Sequence, residues 1–430
     1  MITQQRYIYF QKNVKALNYF LLIGFFLYLE YLFANVLVEY FNRYTYSFDL
    51  FKYLETKALF ILLLIYLQNT KPSNFIYGIS FLLIIFFLIP NMIIFEFMDA
   101  PRIIIYGIIY SIILTLTLNP GKFTIYFPEI SRQNHILGMI VITIAMLVPC
   151  ILAYGINLHY DLFLFNTENV YGVRAGNMAR ETFLSSYFNS WLAKVALPVL
   201  MVYGMLRNEK SLVIFSIACL LYLFLVGAHK SVFLTIFVVL FLRFFKNYQT
   251  KIFFLLLSLF FLFYLSRMVT IMLDNNMLES IVLRRTFFDP AVSNIYYMDF
   301  FKNTPIYLSQ SLLKDLITYP FLEAPEKIIS TIYFDSPKGN ANNGLISDAY
   351  MNFGVIGIFA YGFLFALLIK IFESIKMHHS FFGIFFVIIY TFISSFFLTT
   401  LLSHGVLLFL LIGLLFLKDS QEKTITVITQ

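Results

Sequence analysis

Long uninterrupted apolar segments are the feature that most restricts how this chain can fold. Runs of roughly 17 to 25 apolar residues recur along the whole 430-residue sequence, and helices of that length match the hydrocarbon core of a bilayer. A bilayer core offers no water to backbone N–H and C=O groups, so such runs cross it as helices. The sequence therefore predicts an all-α, polytopic integral membrane protein.

Composition excludes a soluble globular protein. The chain is 60% hydrophobic and 12% charged, with a mean hydropathy of +0.82, whereas soluble domains are about 25% charged. The first apolar run, 16–38, is too long and too aromatic for a cleaved signal peptide and is expected to remain as a span. Cys150 and Cys219 lie within apolar runs and are expected to act as small apolar groups.

Apolar runs between charged or Pro/Gly breaks predict about twelve transmembrane helices in a single transmembrane helical domain, 1–430. Two connections on one face are much longer than the others, 157–188 and 274–344. Within the longer loop, 309–319 has leucines at helical spacing and predicts an interfacial helix. The predicted spans are 16–38, 54–68, 74–96, 102–119, 135–156, 187–206, 211–227, 231–245, 252–273, 345–370, 380–400 and 402–417.

Basic residues in the short connections predict the orientation of the chain. Lys12, Arg207 and Lys251 are among those that fall on one side of the predicted spans, and the positive-inside rule makes that side cytoplasmic. Both termini are then cytoplasmic, and the two long loops face the periplasm. Since the basic residues also account for the net charge of +7, we expect a lipid bilayer as partner and no nucleic acid.

Two basic clusters are predicted to lie on the external face. Arg174 and Arg180 occur in a stretch that is otherwise poor in charge, and the planar guanidinium is well suited to pyrophosphate. Lys230 follows Gly227 in a tight turn that lacks the full spacing of a nucleotide-binding phosphate loop. The alternative for these cations is that they reach lipid headgroups at the ends of spans.

A third cluster combines adjacent arginines with a carboxylate and aromatic rings. Arg284 and Arg285 precede Asp289, and Tyr297 lies in the aromatic stretch that follows. Cations for a departing pyrophosphate, rings for sugar faces and a nearby acid or base are what transfer of a pyrophosphate-linked sugar requires. The alternative is an interfacial helix with aromatic anchors and structural Arg/Asp pairs.

The fourth cluster lies at the external start of a span. Asp348 and Asn352 are four residues apart and share one helix face behind an Asn-rich turn. A carboxylate inside a span is a functional candidate, with a purely structural pair to an arginine as the alternative.

His404, in the predicted turn between the last two spans, is a further acid or base candidate. No His, Cys, Asp or Glu spacing predicts a metal site, so no cofactor is expected.

The order of these clusters resembles the O-antigen polymerase family. The resemblance extends over most of the chain from about Arg174 onward. It rests on short motifs in a fixed order: Arg174…Arg180; Gly227-x-x-Lys230-Ser231; Arg284/Arg285 with Phe287, Pro290 and Tyr297-Met298-Asp299-Phe300-Phe301; and Asn340-x-Asn342-x-Gly344…Asp348-Ala349-Tyr350-x-Asn352-Phe353-Gly354.

The resemblance implies a glycosyltransferase of the bacterial cytoplasmic (inner) membrane, acting in lipopolysaccharide or related polysaccharide biosynthesis. Because no metal-ligand spacing is present, glycosyl transfer is expected to be metal-independent. The substrate would be an undecaprenyl-pyrophosphate-linked oligosaccharide, whose repeat units are polymerised on the periplasmic face. Arg174, Arg180, Arg284 and Arg285 are then candidates for pyrophosphate, and Asp289, Asp348 or His404 for the base. A chain-length regulator and a flippase remain open as partner proteins.

Two other functions remain open from the sequence. A flippase for the same lipid-linked repeats would also have about twelve helices, but it should show two similar halves and short loops. The absence of an internal repeat and the loop 274–344 favour an enzyme over a flippase. A ligase that attaches finished O-antigen to a lipid core has a similar plan, and the sequence does not separate it from a polymerase.

Overall fold

The computed structural model describes residues 2–38, 46–119, 132–156, 158–160, 172–173, 176–177, 179–227, 230–337 and 339–417. Within these ranges the regular structure is helical, and no strand occurs. The α-helices are Ile2–Leu32, Leu50–Thr70, Asn74–Leu83, Ile89–Phe97, Arg102–Thr117, Arg132–Tyr154, Phe183–Trp191, Leu197–Arg207, Lys210–Gly227, Lys230–Phe244, Tyr248–Leu273, Met277–Glu279, Asp289–Phe300, Pro325–Phe334, Leu345–Ile375, Phe382–Ser394, Phe397–Leu401 and Val406–Ile412. π-Helical segments cover Phe33–Leu37, Ile84–Leu88, Leu192–Ala196, Ser280–Phe288 and Gly413–Leu417.

Eight helical segments in the described part of the chain are long and apolar enough to cross a membrane. Three shorter apolar helices and Leu50–Thr70 also coincide with runs that the sequence predicts to be spans. The sequence predicts twelve spans, and eight segments of the described chain are long and apolar enough to be spans on their own. They are Asn13–Leu37, Asn74–Phe97, Asn134–Tyr154, Phe183–Arg207, Lys210–Gly227, Tyr248–Leu273, Leu345–Ile375 and Phe397–Leu417.

Large apolar side chains cover the outer surfaces of these segments. Phe20 is 72% exposed, Leu152 81% and Ile214 68%, each on a different long helix. Extended apolar surfaces of this kind are rare on soluble monomers but are expected where helices face lipid. The all-helical architecture and its apolar exterior indicate a protein embedded in a membrane.

The chain divides into two compact units. Unit 1 comprises Met1–Pro120, Asn247–Lys370 and Ile389–Phe397. Unit 2 comprises Gly121–Lys246, Ile371–Ile388 and Leu398–Gln430. Asp289, Asp348 and Asn352 therefore belong to unit 1, and His404 to unit 2.

The core of unit 1 is built around the helical segment Asn74–Phe97, whose apolar window is entirely buried. The ring of Phe86 stacks on that of Phe287, with centroids 5.1 Å apart. In the same core the Asn294 Nδ2 donates a hydrogen bond of 3.0 Å to Asn91 Oδ1, and both asparagines are buried. These contacts fix the chain on both sides of Asp289.

The core of unit 2 packs the helices on either side of the Phe183–Arg207 segment. Cys150, Leu197, Leu220 and Phe224 are among its buried side chains. Both cysteines are buried and unbridged, as their apolar surroundings in the sequence indicate. A π-helical turn, Leu192–Ala196, interrupts the α-helix just before Pro198. Proline supplies no N–H, so it cannot close the α-helical hydrogen bond to the carbonyl of Lys194.

The structure departs from the sequence prediction in the segment 274–344. The predicted interfacial helix 309–319 is wrong, because residues 307–316 form successive turns. Tyr307 and Leu308 have φ values of +47° and +60°, and an α-helix of L-residues does not continue from that conformation. Regular helix occurs instead over Ser280–Phe300 and Pro325–Phe334.

The last predicted spans are also divided differently. The sequence predicts spans at 380–400 and 402–417 with a turn near His404 where they meet, whereas the structure ends one helix at Ser394 and begins the next apolar segment at Phe397. His404 therefore lies in a turn inside the segment Phe397–Leu417, just before Gly405, whose φ is +79°.

Candidate functional site

A buried carboxylate stands near the start of the Leu345–Ile375 helix. Asp348 is 3% exposed. Its Oδ1 accepts a hydrogen bond of 2.8 Å from Asn352 Nδ2, and its Oδ2 accepts one of 2.7 Å from the Phe397 backbone N–H. Among the described residues no cationic side chain pairs with it. Neutral donors alone therefore hold this carboxylate, which differs from the arginine pair that the structural alternative required.

Asn352 connects this carboxylate to the turn at Tyr307. Its Oδ1 accepts a hydrogen bond of 2.7 Å from the Leu308 N–H, and its backbone carbonyl accepts one of 3.3 Å from the Tyr307 N–H. Asn352 is 2% exposed, so both ends of its amide are satisfied inside the protein. One side chain thus orients Asp348 and holds the left-handed turn in place.

Two aromatic rings lie exposed beside this turn. Tyr307 is 47% exposed and Phe353 36%, and their ring centroids are 6.2 Å apart. The helix breaks at Phe353 and Gly354, where Gly354 has a φ of +59°. The break directs the chain out of helical geometry immediately after Asn352. The sequence predicted no role for Tyr307, because its proximity to Asn352 depends on a contact between distant parts of the chain.

The helix carrying Asp348 begins in the Asn-rich turn. Ser347 Oγ donates a hydrogen bond of 2.9 Å to Asn343 Oδ1 and accepts one of 2.8 Å from the Gly344 N–H. A Cβ at residue 344 would stand 2.3 Å from the carbonyl oxygen of Ile393, so only glycine fits there. These contacts fix the start of the helix one turn before Asp348.

Arg284 and Asp289 form an ion pair inside unit 1. Arg284 is 7% exposed, and its Nη1 donates a hydrogen bond of 2.8 Å to Asp289 Oδ2. Its Nε and Nη2 both donate to Ser280 Oγ. Asp289 is thus engaged by a cation, which makes it a weaker base candidate than Asp348. Arg285, by contrast, is exposed and can meet an external anion.

Tyr297 lies inside an aromatic cluster rather than at a surface. Its side chain is 0% exposed, and its ring is stacked at 6.0 Å on Phe301. Burial, followed by the charge of Glu326, raises the pKa of the Tyr297 phenol well above its ordinary value. The ring is therefore a neutral packing element and offers no open face to a sugar.

His404 contacts two polar side chains of unit 2. Its Nδ1 lies 2.7 Å from Lys194 Nζ and 3.0 Å from Ser190 Oγ. While Lys194 is charged, its ammonium group is the donor to Nδ1, because an ammonium group has no acceptor of its own. That lone pair is then unavailable for a substrate proton. Lys194 was not singled out in the sequence, where it lies 210 residues from its partner.

The structure describes the other basic residues predicted for the site only in part. Arg180 is exposed in a turn, where its N–H donates to the Asn177 carbonyl at 2.9 Å. Lys230 is the first residue of the helix Lys230–Phe244, and its side chain lies outside the description. Arg174 falls outside the described residues.

A charged cluster in unit 1 was not predicted from the sequence. Lys57 Nζ lies 2.5 Å from Glu30 Oε2 and 2.8 Å from Glu96 Oε1, and Glu96 is 0% exposed. The Thr56 hydroxyl also donates to Glu96 Oε1. The lysine stands over the ring of Phe26, 3.8 Å from its centroid. Charged residues inside three apolar runs were a usable signal, since such residues are costly unless they meet one another.

In the described part of the chain no group of three or more His, Cys, Asp or Glu side chains is arranged to hold a metal ion. In the comparisons with known proteins, no family model, no curated protein and no solved structure matches the chain.

Proposed function

We propose that this protein is a membrane glycosyltransferase that polymerises undecaprenyl-pyrophosphate-linked oligosaccharide repeat units into O-antigen or a related surface polysaccharide. The observation that carries the proposal is Asp348, a buried carboxylate without a cationic partner among the described residues, at a helix break beside exposed aromatic rings. The order of motifs in the sequence supports the same reaction.

Asp348 has the environment of a general base. Each of its oxygens accepts one hydrogen bond, from Asn352 or from the Phe397 N–H, and a carboxylate oxygen can accept more than one. The carboxylate can therefore accept a further hydrogen bond from a sugar hydroxyl. Because no described cation neutralises the carboxylate, its negative charge is available to draw a proton from that hydroxyl.

The exposed rings of Tyr307 and Phe353 give the acceptor sugar a place to bind. Aromatic faces pack against the C–H faces of pyranose rings, and both rings lie beside the residue that orients Asp348. A sugar stacked there would bring its hydroxyl groups close to the carboxylate. This arrangement supports binding of a carbohydrate.

The reaction follows from these placements. The terminal hydroxyl of one lipid-linked repeat attacks the anomeric carbon of the growing glycan, and the bond from that carbon to the undecaprenyl pyrophosphate oxygen breaks. Asp348 receives the hydroxyl proton. Exposed Arg285, in the same unit, is available to the departing pyrophosphate. Cleavage of the bond between the anomeric carbon and the pyrophosphate oxygen supplies the driving force.

We further propose twelve spans with both termini in the cytoplasm of a bacterial inner membrane, and a periplasmic active site. The basic residues of the short connections support this orientation. Helix Leu50–Thr70 and the three shorter apolar helices would supply the spans beyond the eight longest.

The first experiment compares surface glycan on gels from a strain that lacks the gene, with and without plasmid-borne wild type. A single repeat on the lipid core that becomes a ladder on complementation supports a polymerase. Complete loss of glycan points to the flippase or the ligase, and an unchanged ladder overturns the proposal.

Asp348→Asn tests the residue itself. We expect this variant to reach the membrane but to leave the glycan at one repeat. Asp335→Asn is the matched control, because Asp335 is exposed with a φ of +47°, which asparagine tolerates. A full ladder from Asp348→Asn would remove the carboxylate from the mechanism.

A further inference from the structure

Lys194, His404 and Ser190 form a polar cluster within apolar segments of unit 2. All three are half-buried, and the two contacts at His404 Nδ1 are 2.7 Å to Lys194 and 3.0 Å to Ser190. Lys194 lies in the π-helical turn Leu192–Ala196 of the candidate span Phe183–Arg207. The cluster is therefore both embedded in an apolar segment and partly accessible.

The turn that carries His404 is held firmly against Trp191. The indole N–H of Trp191 donates a hydrogen bond of 2.6 Å to the Leu402 carbonyl. A Cβ on Gly405 would come within 3.1 Å of the Trp191 ring. The turn holds His404 in place, and the hydrogen bond to His404 in turn orients the Lys194 side chain.

The charge of Lys194 has no counter-charge in the described chain. No described carboxylate lies within ion-pair distance of its Nζ, whereas Lys57 contacts two glutamates. A cation in an apolar segment is costly unless an anion meets it. Of the three N–H groups of the ammonium, one is donated to His404, which leaves two for a ligand.

We propose that Lys194, supported by His404 and Ser190, binds a phosphate group carried by an amphiphile of the bilayer. A phosphate supplies both the missing negative charge and strong acceptors for the two remaining N–H groups. Lysine binds phosphate as a point charge, without the geometric demands of a guanidinium fork. A lipid-borne phosphate reaches an embedded cation without entering bulk water. This site concerns binding alone and does not depend on glycosyl transfer at Asp348.

The test measures binding of labelled farnesyl diphosphate to the full-length protein in phosphatidylcholine nanodiscs. Lys194→Met should weaken binding by about tenfold or more, since it removes a charge-assisted contact. Lys194→Arg, which keeps the charge, should bind within about threefold of wild type. Lys210→Met is the matched control at an exposed lysine of the same unit, and it should bind as wild type does.

Lys194→Gln provides a second neutral variant that can still donate to His404, in case methionine destabilises the fold. It should also lose binding, and equal binding by wild type and Lys194→Gln overturns the site. Unlabelled inorganic diphosphate separates the sources of the phosphate. If diphosphate displaces labelled farnesyl diphosphate from wild type, the phosphate group alone is sufficient for binding. If it does not, the site requires a phosphate that is attached to a lipid.

The outcome is separate from that of the proposed reaction. A deletion strain that keeps its full glycan ladder removes glycosyl transfer but leaves the binding result intact. Unchanged farnesyl diphosphate binding in Lys194→Gln removes the phosphate site but leaves the gel result intact.

Discussion

Arg284 donates a hydrogen bond of 2.8 Å to Asp289 from a largely buried position, with Ser280 as its second partner. The neighbouring Arg285 is exposed. Two consecutive arginines therefore lie in different environments, one inside the fold and one on its surface.

Arg284→Ala should destabilise the protein because it leaves the Asp289 carboxylate without its cation. We expect a loss of about 3 kcal/mol in the free energy of unfolding, in the range found when one partner of a buried pair is removed. Arg285→Ala should keep wild-type stability and lower polymer yield instead. Thermal unfolding in detergent and glycan gels on both variants check the distinction, and equal stability of the two variants contradicts it.

Lys57→Met should destabilise unit 1 strongly. The substitution leaves Glu30 and Glu96 close together without the lysine that contacts both, which costs about 3–5 kcal/mol. Lys52→Met is the control, because its partner Asp99 is fully exposed, so the substitution leaves no buried carboxylate without its cation. The measurement is again thermal unfolding. Similar midpoints for the two variants would show that the cluster is not structural.

Asn352→Leu should loosen the turn at Tyr307 and disorient Asp348. It removes one donor to the carboxylate and the acceptor for the Leu308 N–H, and leaving buried polar groups unpaired costs about 2 kcal/mol or more. Hydrogen exchange should become faster at the Leu308 amide, and polymer yield should fall. Asn342→Leu, at a half-buried position of the nearby turn, should leave that exchange rate unchanged. Unaltered protection in Asn352→Leu would rule out this link.

Glu279 should give stability a measurable pH dependence. Burial raises its pKa above the ordinary value of 4.5, despite the opposing contacts to Thr270 and Arg267. The folded protein therefore binds this proton more tightly than the unfolded chain does. Its contribution is full below pH 4.5 and is lost as pH rises through the folded pKa. The difference in melting temperature between wild type and Glu279→Gln should change across that interval. Glu323→Gln, at an exposed glutamate, should show no such change.

The apolar runs predicted the helices well because membrane spans are determined by local sequence. The pair Asp348 and Asn352 was also predictable, since residues four apart share a helix face, and the two side chains are hydrogen-bonded. The backbone N–H of Phe397, which completes the carboxylate's environment, was not, because it lies 49 residues away. Hydropathy carries no information about such contacts.

The same limit explains the errors. Leucine spacing predicted a helix over 309–319. The backbone N–H groups of Tyr307 and Leu308 instead donate hydrogen bonds to Asn352, and both residues have a left-handed backbone conformation just before that segment. The contact of Lys194 with His404 likewise depends on tertiary packing. The cluster of Glu30, Lys57 and Glu96 was predictable, because each of these charged residues lies in an apolar run. Charged residues in such runs are expected to pair with one another.

The double use of Asn352 has a consequence for how specificity can diversify. Its amide anchors both the carboxylate and the turn that presents Tyr307, so neither can be repositioned without disturbing the other. The rings of Tyr307 and Phe353 project from this anchored frame and are exposed. Under the proposed function, substitutions that alter sugar preference should therefore fall at these two rings, and replacement of the asparagine should disturb both the carboxylate and the turn. A library randomised at residues 307 and 353 tests this, with the composition of the proposed polymer as the measurement.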